Sequence, residues 1–511
     1  LRELPVIDTV WCSTAPSRPG TDQVPLDVVA GKVRDVAQTP PPRIAVIGAG
    51  PSGFYATDHL VRAGMAVDLF DCLPTPYGLV RAGVAPDHPK IKSVARVFER
   101  TAAHPAVRFF GGVEFGEAIT RAEMLERFTA VVYAMGTELD ARLGIPGEDL
   151  SGSHPATHFV CWYNGHPAHA HRKFDLGGAH AVVVGNGNVA LDVARMLVLP
   201  EKTLRTTDAS DQAIDVLAAS SLRRVSVLGR RGPVQSAFST PELLELGRLD
   251  GVDVVVDPAE LRLDPHSARE LAAHGANSPA ARRLALLTEF SRRPASPGNR
   301  RIELRFLRSP VELLGDPAGE RVSAVRTAHN VLEADLDGRV VARPTHRHEV
   351  QSCDLVIRAV GYRARPVEGL PLDPRTGVLR NVAGRLVGRD SVALTGEYVV
   401  GWAKRGPSGV IGTNKSDAEN TVTALLDDLR RGRLNGRPSA APDEVRAWIR
   451  RGVPASFGWD AWLSIDRHER ASGEPLGRPR VKLTSLAQMH AVVDRARADA
   501  VSDSARLAPR T

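Results

Sequence analysis

Cysteine is scarce in this 511-residue chain, and its four copies (Cys12, Cys72, Cys161, Cys353) lie far apart with no C-x-x-C pair. That spacing excludes a disulfide framework, a structural zinc site and a dithiol redox centre, and it suits isolated thiols in a reducing cytoplasm. Aromatic residues make up only 5%, and no nucleic-acid motif accompanies the basic residues, which argues against a nucleic-acid partner. No run approaches about 18 consecutive apolar residues, so no membrane-spanning helix is expected. The start, Leu1-Arg-Glu-Leu-Pro-Val-Ile-Asp8, lacks a long apolar stretch behind a basic one, so no signal peptide is visible. It also opens without Met, which leaves room for a longer N-terminus.

What is present is ordinary in bulk. Hydrophobic residues at 43% and charged residues at 24% are those of a globular protein, and 511 residues exceed one ordinary core, so at least two domains are expected. The net charge of +7, from 66 basic and 59 acidic residues, is a mild excess. It reads as a solvated surface that could also steer an acidic partner.

Residues 1–42 are rich in Pro, Ser, Thr and Gly without a sustained period and read as an extension or linker. From Arg43 the pattern is strand, glycine turn, helix (Phe54 to Ala63) and strand (Ala66 to Asp71), a βαβ unit; an apolar strand from Ala130 to Gly136 follows. A second such unit starts at His180 and reaches a strand at Val225–Gly229. The stretch from Asp253 to Val350 is mixed, and a strand at Leu355–Gly361 ends the block. Strand character resumes at Ser391–Leu394 and Tyr398–Trp402, before a glycine-rich turn and a helix from about Ser416 to Leu429. The expected architecture is α/β, with two Rossmann-like domains, the second inserted into the first: 43–149 and 362–485 for one, 150–361 for the other, and a helical, then frayed tail at 486–511.

The two glycine turns carry the chemistry. In Ile47-Gly48-Ala-Gly50-Pro-Ser-Gly53, Gly48 permits the bend, Gly50 lets backbone approach a pyrophosphate, and Gly53 allows close helix–strand packing. Asp71, at the end of the next strand, is placed to accept hydrogen bonds from a ribose. The second turn, Gly185-Asn-Gly187-Asn-Val-Ala190, has Ala190 in the packing role. No acid ends its following strand; Arg230 and Arg231 stand there instead. Two guanidiniums suit a 2′-phosphate dianion, whereas a carboxylate would repel it, so NADP is preferred over NAD. Each turn has a bland reading, a structural glycine bend or a surface arginine pair, which its strand–turn–helix setting disfavours.

Seven segments carry a resemblance: GAGPSGF, LPTPYGLVRAGVAPDHPKIK, IPGEDL, VVGNGNVALDVARML, GRRGPVQSAF, GWAKRGPSGVIGTNKSDA and GRPRVKL. From about Arg43 to Leu483 the chain resembles the adrenodoxin reductase-like ferredoxin–NADP reductases of mitochondrial and actinobacterial type. The resemblance implies FAD at the first turn and NADP at the second. It places FAD contacts on Ser52, Asp71, Leu79, Phe115, Trp402 and Gly409-Val410-Ile411, beside Gly48, Gly50 and Gly53. It places NADP contacts on Asn186, Gly187, Asn188, Val189, Arg230, Arg231, Glu242 and again Gly409, where nicotinamide and flavin would stack near one backbone. Asp71 stands where relatives often have Glu, one methylene shorter, and Thr57 replaces a residue often small.

His88 and Glu245 match residues of the family's active-site polar network. Hydride transfer needs alignment rather than a proton-transferring side chain, so their implied role is tuning. No metal is expected. The implied activity is hydride transfer from NADPH to FAD, then single electrons to a small iron–sulfur ferredoxin, of acidic type by family precedent, which could feed a haem-thiolate monooxygenase. A thioredoxin-reductase-like activity is disfavoured by the missing C-x-x-C. A non-catalytic NADP sensor is disfavoured by Trp402 and the GPSGVIG run.

Overall fold

The computed structural model describes residues 41–507, so the 1–42 extension and Cys12 fall almost wholly outside the described residues. Two parallel-rich sheets dominate. The first has seven strands, in the order Asn381–Val382, Arg385–Val387, Ala393–Val399, Ala130–Tyr133, Arg43–Ile47, Ala66–Asp71, Val107–Gly111. Its strands come from both sides of the second sheet in sequence. That second sheet has six parallel strands, ordered Ser153–Pro155, Leu355–Arg358, His180–Val184, Arg224–Leu228, Arg300–Arg305, Val252–Val256.

The strands that feed the glycine turns are covered on both faces, which is why they read as unbroken apolar runs rather than alternating ones. In Arg43–Ile47, Ile44 and Val46 enter one core cluster while Ala45 and Ile47 enter another. In His180–Val184, Ala181 and Val183 face one cluster, Val182 and Val184 the other. Each buried aliphatic side chain contributes about 1.5–3 kcal/mol, so a one-residue shift would expose nothing apolar but would break the packing of both faces at once. Both strands therefore hold their turns rigidly at the carboxyl edge of a sheet.

Several boundaries differ from the sequence reading. The first helix spans Pro51–Arg62 rather than starting at Phe54, because Pro51 has no N–H to satisfy and its fixed φ suits the first helical turn. The strand expected through Trp402 stops at Val399. Gly401, at φ +72°, turns the chain, and Trp402 begins a short helix to Arg405. The mixed region contains an antiparallel sheet of Arg308–Gly315, Val322–Ala334 and Val340–Ser352. Its outer strand is charged and largely exposed, so it lacks the apolar signal that marks a strand in sequence.

Buried polar links tie the segments around the first sheet to the second sheet and the loops that flank it. Glu148, in the IPGEDL segment, accepts from the N–H groups of Leu143 (2.7 Å) and Gly144 (2.8 Å) and pairs with Arg358 on the second sheet. Within GRPRVKL, Arg478 donates to the carbonyls of Thr207 (2.9 Å) and Ala209 (2.5 Å) and to Asp211. Lys482 reaches Asp208 at 3.2 Å, and Lys92 reaches the same carboxylate at 2.5 Å. Two ammonium groups hold the Asp208 carboxyl well below its usual range. Among the described residues no helix is long and apolar enough to cross a membrane.

Candidate functional site

The two glycine turns are built on the same plan. Gly48 has φ +106° and Gly185 φ +124°. A Cβ on Gly48 would sit 2.5 Å from Ala134 O, and one on Gly185 would sit 2.2 Å from Ala359 O, so neither position admits a side chain. Gly53 is a packing glycine, its Cβ position 1.9 Å from Gly48 O; Ala190, fully buried, fills the equivalent place.

The middle glycines are different. A Cβ on Gly187 would meet nothing within 4 Å, and one on Gly50 would only reach Gly78 Cα at 4.0 Å. No protein atom requires glycine at either place. A ligand backbone drawn close to the turn does require it, which is the fit expected of a pyrophosphate. Gly50 and Gly187 are also the N-caps of Pro51–Arg62 and Asn188–Val198, and neither helix has a side-chain cap. Their first N–H groups are left for an anion, which the helix dipole favours.

Both turns open onto a single cavity of about 1610 Å³. A pocket for one drug-sized ligand is about 300–1,000 Å³, so this space has room for two dinucleotides. Gly48, Gly50, Ser52, Asp71, Leu79, Phe115, Trp402, Gly409, Val410 and Ile411 line it on the side of the first turn. Asn186, Gly187, Asn188, Val189, Arg230, Arg231 and Glu242 line it on the other. Of the sequence-derived positions, Gly53 and Glu245 are not in the lining.

Asp71 Oδ2 accepts from Ala49 N (2.7 Å) and Oδ1 from Leu73 N (2.9 Å), which fixes the carboxylate against the turn. Burial pushes its pKa up to about 6, against the lowering effect of those two N–H groups. Ser52 Oγ donates to Asn414 Oδ1 at 3.0 Å. Trp402 stacks on Tyr362, with centroids 6.1 Å apart and an interplanar angle of 11°, and its buried Nε1 has no partner. Thr57 is fully buried with its hydroxyl unpartnered. Of the described cysteines, all free, Cys161 and Cys353 are pushed up to about 12 by burial and so stay protonated.

The polar network has a member that the sequence did not reveal. His88 Nε2 lies 2.8 Å from Glu245 Oε2 and 3.9 Å from Glu242 Oε2. Glu242 and Glu245 share the helix Thr240–Leu246, whose N-cap is Ser239. Arg195, only 1% exposed, reaches Glu242 at 3.3 Å, Asp87 at 2.7 Å and Asp192 at 2.7 Å. Burial pushes Asp192 up to about 7, with Glu242 and Asp87 adding to it against the pull of Arg195. His88, Glu242 and Glu245 bring potential metal-ligand atoms within 4.8 Å of one another. The Arg195 guanidinium stands beside both carboxylates, 3.3 Å from Glu242 and 4.0 Å from Glu245.

Comparison with known proteins agrees with this geometry. No family model matches the chain. NADPH-ferredoxin reductase FprA of Mycobacterium tuberculosis is 47% identical over 457 residues, covering 87% of this chain and 98% of that protein. The chain belongs to the FprA–adrenodoxin reductase family. A second member, human mitochondrial NADPH:adrenodoxin oxidoreductase, is 39% identical over 460 residues, covering 88% and 91% of the two chains. A solved structure of Mycobacterium tuberculosis FprA in complex with NADPH superposes with a TM-score of 0.84 at 46% identity, over 89% of this chain and 99% of that one. As in the rest of the FprA–adrenodoxin reductase family, the fold is that of a flavoprotein with two dinucleotide-binding domains.

Proposed function

We propose that this chain is an NADPH–ferredoxin reductase in which residues 43–149 and 362–485 bind FAD and 150–361 bind NADP(H), followed by a tail that is helical over Leu486–Leu507. The observation that carries the reading is the continuity of the cavity, whose walls run from the Gly48–Gly53 turn past Trp402 and Gly409 to the Gly185–Ala190 turn. FAD held at the first turn would supply the chemistry that couples two-electron oxidation of NADPH to one-electron delivery to an iron–sulfur protein.

The chain's own residues bind and orient. The uncapped N–H groups at Gly50 and Gly187 take the two pyrophosphates. Asp71 accepts from the ribose of FAD, and Ser52, Leu79, Phe115, Trp402, Val410 and Ile411 wall the flavin. Asn186, Asn188, Val189 and Glu242 hold NADP, and Arg230 with Arg231 take its 2′-phosphate. Gly409 serves both nucleotides. His88 and Glu245, 2.8 Å apart, tune the site, and Arg195 keeps the surrounding carboxylates in place.

The partner is an acidic ferredoxin attracted by the basic excess, with a haem-thiolate monooxygenase downstream and a cytoplasmic location suited to free thiols. The test is direct. The purified protein should show flavin absorption that NADPH bleaches anaerobically, and should reduce cytochrome c only when ferredoxin is supplied. Flavin that NADPH fails to bleach would overturn the reading.

A further inference from the structure

Three consecutive carbonyls of the arginine turn are held from one direction. Gly229 O accepts from Arg308 N (3.0 Å), Arg230 O from Asn330 Nδ2 (2.7 Å), and Arg231 O from Leu307 N (3.1 Å). Leu307 adopts φ +54°, a left-handed conformation that a residue with a Cβ takes only under constraint. The constraint is visible: the twist lets Leu307 and Arg308 direct successive N–H groups at the turn. With its carbonyls tied to the antiparallel sheet, the turn leaves the Arg230 and Arg231 side chains on the cavity side, where both line it.

Asn330 is 5% exposed and does not line the cavity. Its Nδ2 group, besides holding Arg230 O, donates to Ser309 Oγ at 2.8 Å. Ser309 lines the cavity together with Arg230 and Arg231. A hydroxyl has one proton and two lone pairs. Because Asn330 occupies a lone pair, the Ser309 proton is directed elsewhere, and no acceptor for it is found among the described residues. A single amide thus sets the relative positions of a cationic donor and a neutral donor.

We propose that Ser309 is a third recognition group for the 2′-phosphate of NADPH and that Asn330 is the positioning residue that aims it. The inference rests on the reading of the second turn as an NADP site. A phosphate monoester dianion offers three acceptor oxygens, more than two guanidiniums must cover, and a hydroxyl bonded to an anion forms a charge-assisted bond. NADH presents a neutral 2′-hydroxyl in the same place, and a bond between neutral groups gains about half as much or less. Ser309 therefore adds to discrimination and not merely to affinity.

The test uses the FAD-loaded protein and two probes, 2′,5′-ADP and 5′-ADP, titrated by calorimetry. Ser309→Ala should weaken 2′,5′-ADP about tenfold, the effect of one charged hydrogen bond, and change 5′-ADP by less than about twofold. Ser309→Thr, which keeps the hydroxyl, should retain the wild-type ratio, and Asn330→Leu should lower it as Ser309→Ala does. The control is the double variant Arg230→Gln/Arg231→Gln. If the control collapses the ratio while Ser309→Ala leaves it unchanged, the role of Ser309 is refuted and the NADP site stands. If the control leaves the ratio unchanged, the NADP reading and this inference fall together.

Discussion

Arg195 Nη2 lies 2.7 Å from Asp192 Oδ1, one helical turn away on Asn188–Val198. The same guanidinium also serves Asp87 and Glu242, so one cation faces three carboxylates in a space nearly closed to water. Burial, with the negative charge of Glu242 and Asp87 added to it, raises the Asp192 carboxyl to about 7 against the pull of Arg195.

A consequence for stability follows from the sign of that shift. A carboxyl whose folded pKa is raised contributes stability that is complete below its unfolded pKa and is lost as pH rises through the folded value, here about 7. Asp192→Asn should therefore come closest to wild type in melting temperature below about pH 4, the unfolded carboxylate range, and exceed it increasingly up to about pH 8. Thermal melts of the apo-protein at both ends of that range check this; a variant equally destabilised at both would show that the ion pair outweighs the burial and the charge excess.

Replacing Arg230 and Arg231 together with Gln should cost about 2–4 kcal/mol of NADPH binding, two charged hydrogen bonds with imperfect additivity. NADH turnover should barely change. Steady-state kcat/KM for both nucleotides gives the ratio, which the loss of the pair should lower by at least about thirtyfold.

FAD retention should depend on pH through Asp71. In the empty site its carboxyl is protonated below about 6, and accepting ribose hydroxyls requires expelling that proton. The dissociation constant of FAD should rise toward tenfold per pH unit below about 6, a dependence that Asp71→Asn should flatten while weakening binding throughout. Fluorescence of released FAD reports both. Denaturation should free the flavin entirely, since no His or Cys is assigned to bond it covalently.

Electron delivery to ferredoxin should fall steeply with added salt, and ferricyanide reduction much less, because charge-guided docking is screened over about 8 Å at physiological ionic strength. Arg248 and Arg292 are exposed, whereas Arg300 is half-buried and directed to Ser220 O at 3.5 Å. Arg248→Glu should slow ferredoxin-dependent flavin reoxidation in stopped flow; an unchanged rate would exclude this surface.

The sequence made the two turns legible because each couples an apolar run to glycines at fixed offsets, a pattern that local sterics impose. Asp71 and the Arg230–Arg231 pair were legible for the same reason: each ends a strand at a position set by the turn before it. Trp402 was assigned to a strand because Tyr398-Val-Val is β-forming, and the reversal at Gly401 depends on a φ that composition does not announce. Arg195 looked like any helical arginine, since its burial follows from Asp87 and Glu242, which are distant in sequence. Ser309 and Asn330 were silent because their link to Arg230 is a side-chain hydrogen bond from Asn330 to a carbonyl about a hundred residues away.

The pairing of Tyr133 with Val399 places the two halves of the first sheet on either side of the second in the order of synthesis. A ribosome adding about 5–20 residues per second needs roughly 13–53 seconds between emitting those two partners. The strand Ala130–Tyr133 must wait through that interval with one edge unpaired, while the inserted sheet, complete once Leu355–Arg358 emerges, can fold ahead of it. The nascent chain is thus most exposed to mispairing midway through translation, at an edge that only its own later residues can close.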